Sequence, residues 1–356
     1  TTFGALHSAL DKVFGQPKYG DQNFDLVNQL RHNAAVFSAF KTHRQQNDLH
    51  AELFDADGKV RSFAEFRKAT APILSNYNVN WLQSEYNTAM IRAETAAQWS
   101  AIEQTKEIYP HVQWLPSTSV SQREAHKSLY YKVFALDDPF LSSNMPGSLW
   151  NCKCGIRPSA EPITDKSQTR EAIKHAPTAA PGLDNNPGVS GELFTRSHPY
   201  FEVGSKKRAQ AIELQAEKIE TERSRNAVRS HFKKQLKEQP LLLLVANGPV
   251  DVIDLSYQDV KTITGKPHKF NALKNRVCYD LQQVLDVAQY EGCSPDLKGG
   301  KAKGHFAIEQ WHYYSFDLNK EKSYITISQK VSGEFKLHSI QDKDHFRMDM
   351  IKEKPQ

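Results

Sequence analysis

The stretch MPGSLWNCKCGIRP, residues 145–158, places two of the chain's four cysteines one residue apart, beside Trp150 and between prolines. Three arrangements produce such a sequence: a disulfide, a metal site and a buried packing turn. Cysteines this close are poor partners for an ordinary unstrained disulfide. As thiolates, Cys152 and Cys154 could share one metal ion. Zinc usually takes four ligands, and the nearest recruits are His126 and a carboxylate from Asp137 or Asp138. The common structural spacing is Cys-x₂-Cys, so spacing alone leaves the metal site and the packing turn both open.

Around this stretch lies a chain of 356 residues, long enough for two domains. Charged residues make up 24% and hydrophobic ones 39%, a mixture typical of soluble proteins. No apolar run approaches the ~20 residues of a membrane span, so no membrane association is expected. PLLLLVA, residues 240–246, is far too short and reads as a buried strand. The chain opens on TTFGALHSAL without a basic-then-apolar leader, which predicts no signal peptide. Four cysteines in this length point to a reducing compartment rather than a disulfide framework. The net charge of +5 sits in the middle: residues 161–249 carry 14 basic and 11 acidic groups, against 16 and 15 in residues 1–160 and again in residues 250–356. Charge alone does not establish nucleic-acid binding.

The first ~110 residues read as helical. Val27, Leu30, Ala34 and Phe37 recur at helix spacing, and Ser62 with Glu65 forms a capping box opening SFAEFRKATAPIL. A long helix is predicted from about Val79 to Glu107, with Leu82, Tyr86, Ala89, Ala93 and Ala97 on one face. Its alanines suggest a close helix contact. HVQWLP is extended. A second capping box, Ser121 to Glu124, carries His126 on a helix, and LYYKVFAL reads as a strand ended by DDP. Phe63, Phe66, Trp81, Trp99 and Trp150 are expected in the core. Residues 158–202 hold six prolines together with DNNPGVSG, the composition of a linker or irregular arm over 161–205. Residues 206–240 form a charged connector helix.

The remainder, from residue 241, reads as helices followed by a three-stranded antiparallel meander, HYYSFDL, SYITISQ and EFKLHSI. The fold class is therefore α+β, with a mainly helical domain over residues 1–160 and a small domain of helices and antiparallel sheet over 241–356.

Three stretches occur in order over about 75 residues: YNTAMIRAETAAQW, QREAHKSLYYKVFALDDPF with its lone His126, and PGSLWNCKC. Together they resemble the phage Mu F-type minor head protein, or phage head morphogenesis, family. Lys153 stands where Arg is usual and Met145 where a second Pro is common. The resemblance implies a minor capsid protein of a tailed phage or prophage. Its partners would be portal or capsid proteins, and it would sit in the virion after assembly in the host cytoplasm. It also implies that His126, Cys152 and Cys154 come together, without saying whether they hold zinc.

The last hundred residues resemble the barnase, EndoU, colicin and RelE-like phage nuclease domains, through DVKTITGKPHKF and SYITISQKVSGEFKLHSIQD. That resemblance implies a toxin-like, metal-independent endoribonuclease with an RNA substrate and an immunity protein as partners. Such chemistry needs an acid, a base and groups to hold the phosphorane. His268, His305 and His312 are the candidates for proton transfer. Lys261, Lys269 and Lys336 would hold phosphate, and Tyr324 and Ser339 would donate hydrogen bonds. Alternation puts Ile325, Ile327, Phe335, Leu337 and Ser339 inward, with Tyr324, Thr326, Lys336 and His338 outward. The alternative is a purely structural protein whose last domain is an inactive binding module. A third reading, a zinc enzyme, would need an open coordination position and a base, for which Glu124 is the near candidate.

Overall fold

A computed structural model of the chain describes residues 1–296 and 308–352. The chain forms two compact units, one of residues 1–17 and 26–216, the other of residues 18–25 and from Glu217 onward. The fold is α+β, with the helices concentrated in the first part and the larger antiparallel sheet in the last.

The first unit begins with α1 (Thr2–Phe14), α2 (Phe24–Ala51, of which all but the first two residues belong here) and α3 (Phe63–Ser75). A π-helical turn, Asn76–Asn80, leads into α4 (Trp81–Thr105). The capping box at Ser62 and Glu65 is formed as the sequence predicts. Leu6 and Leu10 of α1, Leu30, Phe37 and Phe40 of α2, and Ala89, Ala93 and Ala96 of α4 share one core. The alanines carry almost no side chain, which lets α1 pack closely on α4. Several expected anchors lie elsewhere. Phe63, the first residue of α3, is 79% exposed, Trp81 is 42% exposed, and Phe66 and Trp150 are half-buried; of the five, only Trp99 is a core residue.

A three-stranded antiparallel sheet follows. β1 (His111–Leu115) lies between β2 (Val133–Ala135) and β3 (Gly155–Ser159), with the short helices α5 (Glu124–Lys127) and α6 (Pro139–Ser143) in the connections. The strand expected over LYYKVFAL is shorter than read, because Tyr131 takes a left-handed φ of 62° that breaks extension before β2. The capping box expected at Ser121 does not form: Arg123 is the residue capping α5, and Glu124 pairs with Lys127 instead.

The proline-rich segment carries α7 (Lys166–His175) and α8 (Pro187–Ser190) and packs into this unit. Leu183, Leu193, Phe194 and Tyr200 enter the same core as α1, α2 and α4. Proline lacks an N–H and the arm has no sheet ladder, so side chains supplement its turn hydrogen bonds. Asn33 on α2 accepts from the amides of Leu193 and Phe194 and donates to the Phe194 carbonyl. Arg92 on α4 is fully buried and donates to the carbonyls of Leu193 (2.7 Å), Leu183 (3.2 Å), Asn185 (3.3 Å) and Gly147 (3.3 Å), and to the Asn185 side chain. Gly147 has φ 88°, and a Cβ there would stand 2.7 Å from Arg92 Cγ, so the loop can reach the guanidinium only with glycine at this position.

α9 (Lys206–Glu238) contributes Ala216 to the first core, and the division between the units passes through it. The second unit continues with a two-stranded hairpin, β4 (Leu241–Leu244) and β5 (Val252–Leu255). Three helices follow: α10 (Tyr257–Gly265), α11 (Asn271–Val277) and α12 (Leu281–Val287). β4 is not the buried strand expected: Leu243 is buried, but Leu242 and Leu244 point to solvent. NALKNRVCYDLQQVLDVAQY, residues 271–290, is not one helix: a 3₁₀ turn, Cys278–Asp280, separates α11 from α12, and the last residues open a strand. That strand, β6 (Gln289–Pro295), precedes β7 (Ile308–Leu318), β8 (Glu321–Lys330) and β9 (Phe335–Asp342). The meander thus has four strands, paired in sequence order. Tyr314, Phe316, Ile325, Ile327, Leu337 and Ile340 pack with the helices on one face. Trp311, Tyr313 and Tyr324 meet Phe346 on the other.

Replacing Arg92 with Ala leaves several buried carbonyls without donors, at about 1–3 kcal/mol each. The expected result is release of the arm. Trypsin should then cut at Arg196 in Arg92→Ala under conditions where the wild-type chain resists, and equal cutting in both proteins would show that Arg92 does not hold the arm.

Candidate metal centre and the second-unit residues

The two cysteines are placed by α4. Thr88, Arg92 and Thr95 stand at helix spacing on one buried stripe, and each binds the loop that carries the cysteines. The Thr88 hydroxyl accepts from Asn151 N (3.0 Å), Arg92 donates to the Gly147 carbonyl, and Thr95 donates to the Pro146 carbonyl (3.1 Å). Asn87 adds a side-chain bond to Asn151 (3.2 Å). Asn151 itself takes a left-handed φ of 57°, a conformation asparagine tolerates, and this turns Cys152 back toward α5. The amide of Thr118 then binds the Lys153 carbonyl (3.0 Å), fixing the residue between the two cysteines.

His126, Cys152 and Cys154 are all buried, and their donor atoms lie within 4.8 Å of one another. His126 Nδ1 stands 3.3 Å from Cys154 Sγ and 3.7 Å from Cys152 Sγ. Two ligands bound tetrahedrally at the usual Zn–N and Zn–S lengths lie about 3.6 Å apart, so the cluster already has the dimensions of a metal site. The chemistry also fits. A hydrogen bond from the Cys154 thiol holds Cys152 as a thiolate, its pKa down to about 4, while the same bond drives Cys154 upward; the two sulfurs share one proton. Trp114 Nε1 and Tyr130 OH are buried without a hydrogen-bond partner, and both favour the Cys154 thiolate against the larger upward push from Cys152 and burial. The four free cysteines include no disulfide.

No carboxylate completes the set. Asp138 caps α6 by accepting from Phe140 N, Asp137 is exposed, and among the described residues neither belongs to the cluster. The fourth position is left to water or another small ligand. Glu124, the candidate base, is 85% exposed in its side chain and paired with Lys127 at 2.6 Å, so it is not held as a base beside the cluster.

A second polar feature of this unit left no mark in the sequence pattern. Lys41 and Glu85 form a buried pair at 2.5 Å, and Tyr200 OH donates to Glu85 at 3.0 Å. Above them Trp81, Trp150, His198 and Tyr200 line a cavity of about 340 Å³. Burial and the Lys41 charge push His198 down to about 4, so it lines the cavity as a neutral ring.

In the second unit the structure separates the expected catalytic residues. His268 is buried. Its Nδ1 accepts from Phe270 N (2.9 Å), and Nε2 bonds Ser323 Oγ (3.1 Å) at the start of β8. His312 bonds Gln329 at 2.8 Å and lies opposite Ile327. Ser323 and Ile327 are four residues apart on one strand, about 13 Å, too far for both rings to serve one phosphate. Tyr324 stacks on Phe346 on the opposite face (4.5 Å). Lys336 is held by Asp254 (3.1 Å) and Lys269 by Glu321 (2.5 Å), while Lys261 lies over the Tyr257 ring. His305 lies outside the described residues. Ser339 is not inward as alternation predicts. A bulge at His338 shifts the register so that Thr326 faces Ser339 while Ile327 faces Leu337, which turns Ser339 to the face of Tyr324.

Burial drives His268 down to about 4, against an unfolded value of 6.5. A histidine held neutral binds its proton more readily when unfolded, so stability is full above pH ~6.5 and is lost as pH falls toward ~4. Over that window the second unit should lose roughly 3 kcal/mol through this residue. His268→Asn should flatten that part of the pH dependence of the denaturant midpoint; an unchanged slope in the variant would show that His268 is not the group responsible.

Comparison with known proteins places the first unit's motif in context. Residues 47–157 match the family described as Phage Mu protein F like protein. Within the chain, 76 residues are 30% identical to the "Putative capsid assembly protein F" of Escherichia phage Mu, covering 21% of this chain and 17% of that relative. No solved structure matches the chain. The matched segment contains α3, α4, His126 and both cysteines of the cluster, so the residues that build the candidate metal centre lie within a Phage Mu F-like domain at residues 47–157.

Proposed function

We propose that the chain is a head-assembly component of a tailed phage or prophage, a minor capsid protein acting through structure rather than turnover and seated in the virion near the portal. The observation that carries this reading is the interlocking of α4 with the cysteine loop inside the matched segment. Asn87, Thr88, Arg92 and Thr95 belong to one quoted motif and residues 146–151 to another, and they bind each other directly. The matched relative is named as a putative capsid assembly protein, which agrees with that reading.

In this reading His126, Cys152 and Cys154 hold one zinc ion as a staple between α5 and the loop, with no base to make it catalytic. The second unit is a binding module. A metal-independent RNase would require His268, His312 and Lys336 around one phosphate, and their separate engagements with Ser323, Gln329 and Asp254 speak against it.

Two measurements test this. Elemental analysis of the purified full chain should find about one zinc per chain, falling several-fold in Cys154→Ser; absence of zinc, with both thiols alkylated at the rate of a free surface cysteine, would remove the staple. Deleting the gene in its phage or prophage should prevent formation of DNA-filled heads, with the chain detectable in wild-type particles. Normal heads without it would overturn the assembly role.

A further inference from the structure

Several cations of the second unit sit in ion pairs on or beside its sheet. Lys269 faces Glu321, Lys322 faces Glu291 at 2.7 Å, Lys330 faces Glu334 at 2.6 Å and Lys336 faces Asp254. A cluster of cations gathers instead around the C-terminal end of α10. Arg225 and Arg229, one turn apart on α9, direct their Nε atoms to the Thr264 carbonyl (3.1 Å) and the Thr264 hydroxyl (2.8 Å), and Arg229 Nη2 reaches the Lys261 carbonyl (2.9 Å). Lys274 of α11, fully buried, donates to the carbonyls of Ile263 (2.7 Å) and Lys266 (2.5 Å). Lys266 follows α10 at this end, and Lys261, one turn earlier on the helix, carries its ammonium over the Tyr257 ring. Among the described residues, none of these five cations forms an ion pair.

Helix capping does not account for so much charge. The last carbonyls of a helix carry about half a negative charge in total, and one buried lysine already meets them. Lys274 in fact feels the two arginines: burial first, then Arg225 and Arg229, push it down to about 8. The arginines are held in place through Nε, and among the described residues both terminal nitrogens of Arg225 and Nη1 of Arg229 have no protein partner. An anion from outside the chain is the missing element.

We propose that Arg225, Arg229, Lys261 and Lys266 form a docking surface for the phosphodiester backbone of a nucleic acid. The two guanidinium groups lie four residues apart on a helix, about 6 Å, a spacing suited to successive phosphates on one strand. Their planar forks match phosphate oxygens in pairs. All four groups are cations suited to backbone contacts, so recognition would be independent of sequence. Two of the four, Arg225 and Arg229, fall within residues 161–249, the stretch with the largest basic excess. The proposal deepens the reading of the second unit as a binding module and rests on it, but not on the zinc staple.

The test is fluorescence anisotropy of the full chain with a labelled single-stranded DNA oligonucleotide. Four phosphate contacts predict an affinity loss of about 50-fold between ~50 and ~200 mM salt. Lys261→Gln with Lys266→Gln, two changes at side chains that form no ion pair among the described residues, should lower the salt slope by about 1.5. Lys269→Gln, whose ammonium is already paired with Glu321, should leave binding unchanged. Absence of binding at low salt, an unaltered slope in the double variant, or displacement by polyglutamate as effective as by unlabelled oligonucleotide would each overturn the proposal. The same titration with RNA, recovered and sized afterwards, separates the two readings: cleaved RNA would defeat the non-catalytic module while leaving the docking surface standing.

Discussion

The first unit depends on how a buried guanidinium is satisfied. Arg92 has no carboxylate in direct contact; Asp184 and Glu192 act on it only through longer-range charge, and burial pulls its pKa down to about 9. Its donors go instead to main-chain carbonyls from residues 147, 183, 185 and 193. Leaving any of these groups unpaired in the core would cost more than their bonds return, so the arrangement is close to all-or-none. One side chain on α4 thereby fixes two segments with little regular structure of their own: the loop that carries the cysteines and the arm of residues 183–193. The candidate metal centre inherits its geometry from that constraint.

The same constraint explains why the arm reads as a linker. Its prolines, asparagines and glycines are the composition of a segment that cannot form a helix or strand ladder, and that inference is sound. What composition does not reveal is that Arg92 and Asn33 supply the missing hydrogen bonds from elsewhere in the chain. Helix periodicity found α4 and its alanine seam, but it counts apolar residues. Thr88, Arg92 and Thr95, which are buried and polar, therefore fell outside the expected face. The Lys41–Glu85 pair escaped for the same reason. Trp81 and Phe63 failed in the opposite direction: large apolar residues were placed in the core although each sits where an element begins and faces out.

The cluster itself was legible as chemistry and not as geometry. Two cysteines one residue apart and a lone histidine 26 residues earlier are a suitable donor set, but only the left-handed turn at Asn151 and the short helix α5 bring their donor atoms within reach. In the second unit the strands were legible from alternation, whereas the faces were not. A single bulge at His338 reverses the parity of every residue beyond it on β9, so an inward Ser339 becomes outward and Ile340 takes its place in the core. Residue types suited to catalysis were present, and the fold spent them on other contacts: His268 on Phe270 and Ser323, Lys336 on Asp254.

Both units contain a buried cation held by carbonyls rather than by a carboxylate, and the contrast between them is informative. Around Arg92 the chain closes completely, and every donor is used on the arm and the loop. Around Lys274 the chain also satisfies the buried ammonium, yet it then adds Arg225 and Arg229 at the same helix end, with terminal nitrogens left over. Placing like charges together raises the energy of the free protein unless they are screened or neutralised. A structural role would be met more cheaply by one cation, as Arg92 shows for a far larger set of carbonyls. The surplus at α10 therefore belongs to a balance that the chain alone does not complete, and a polyanion restores it without any change in fold.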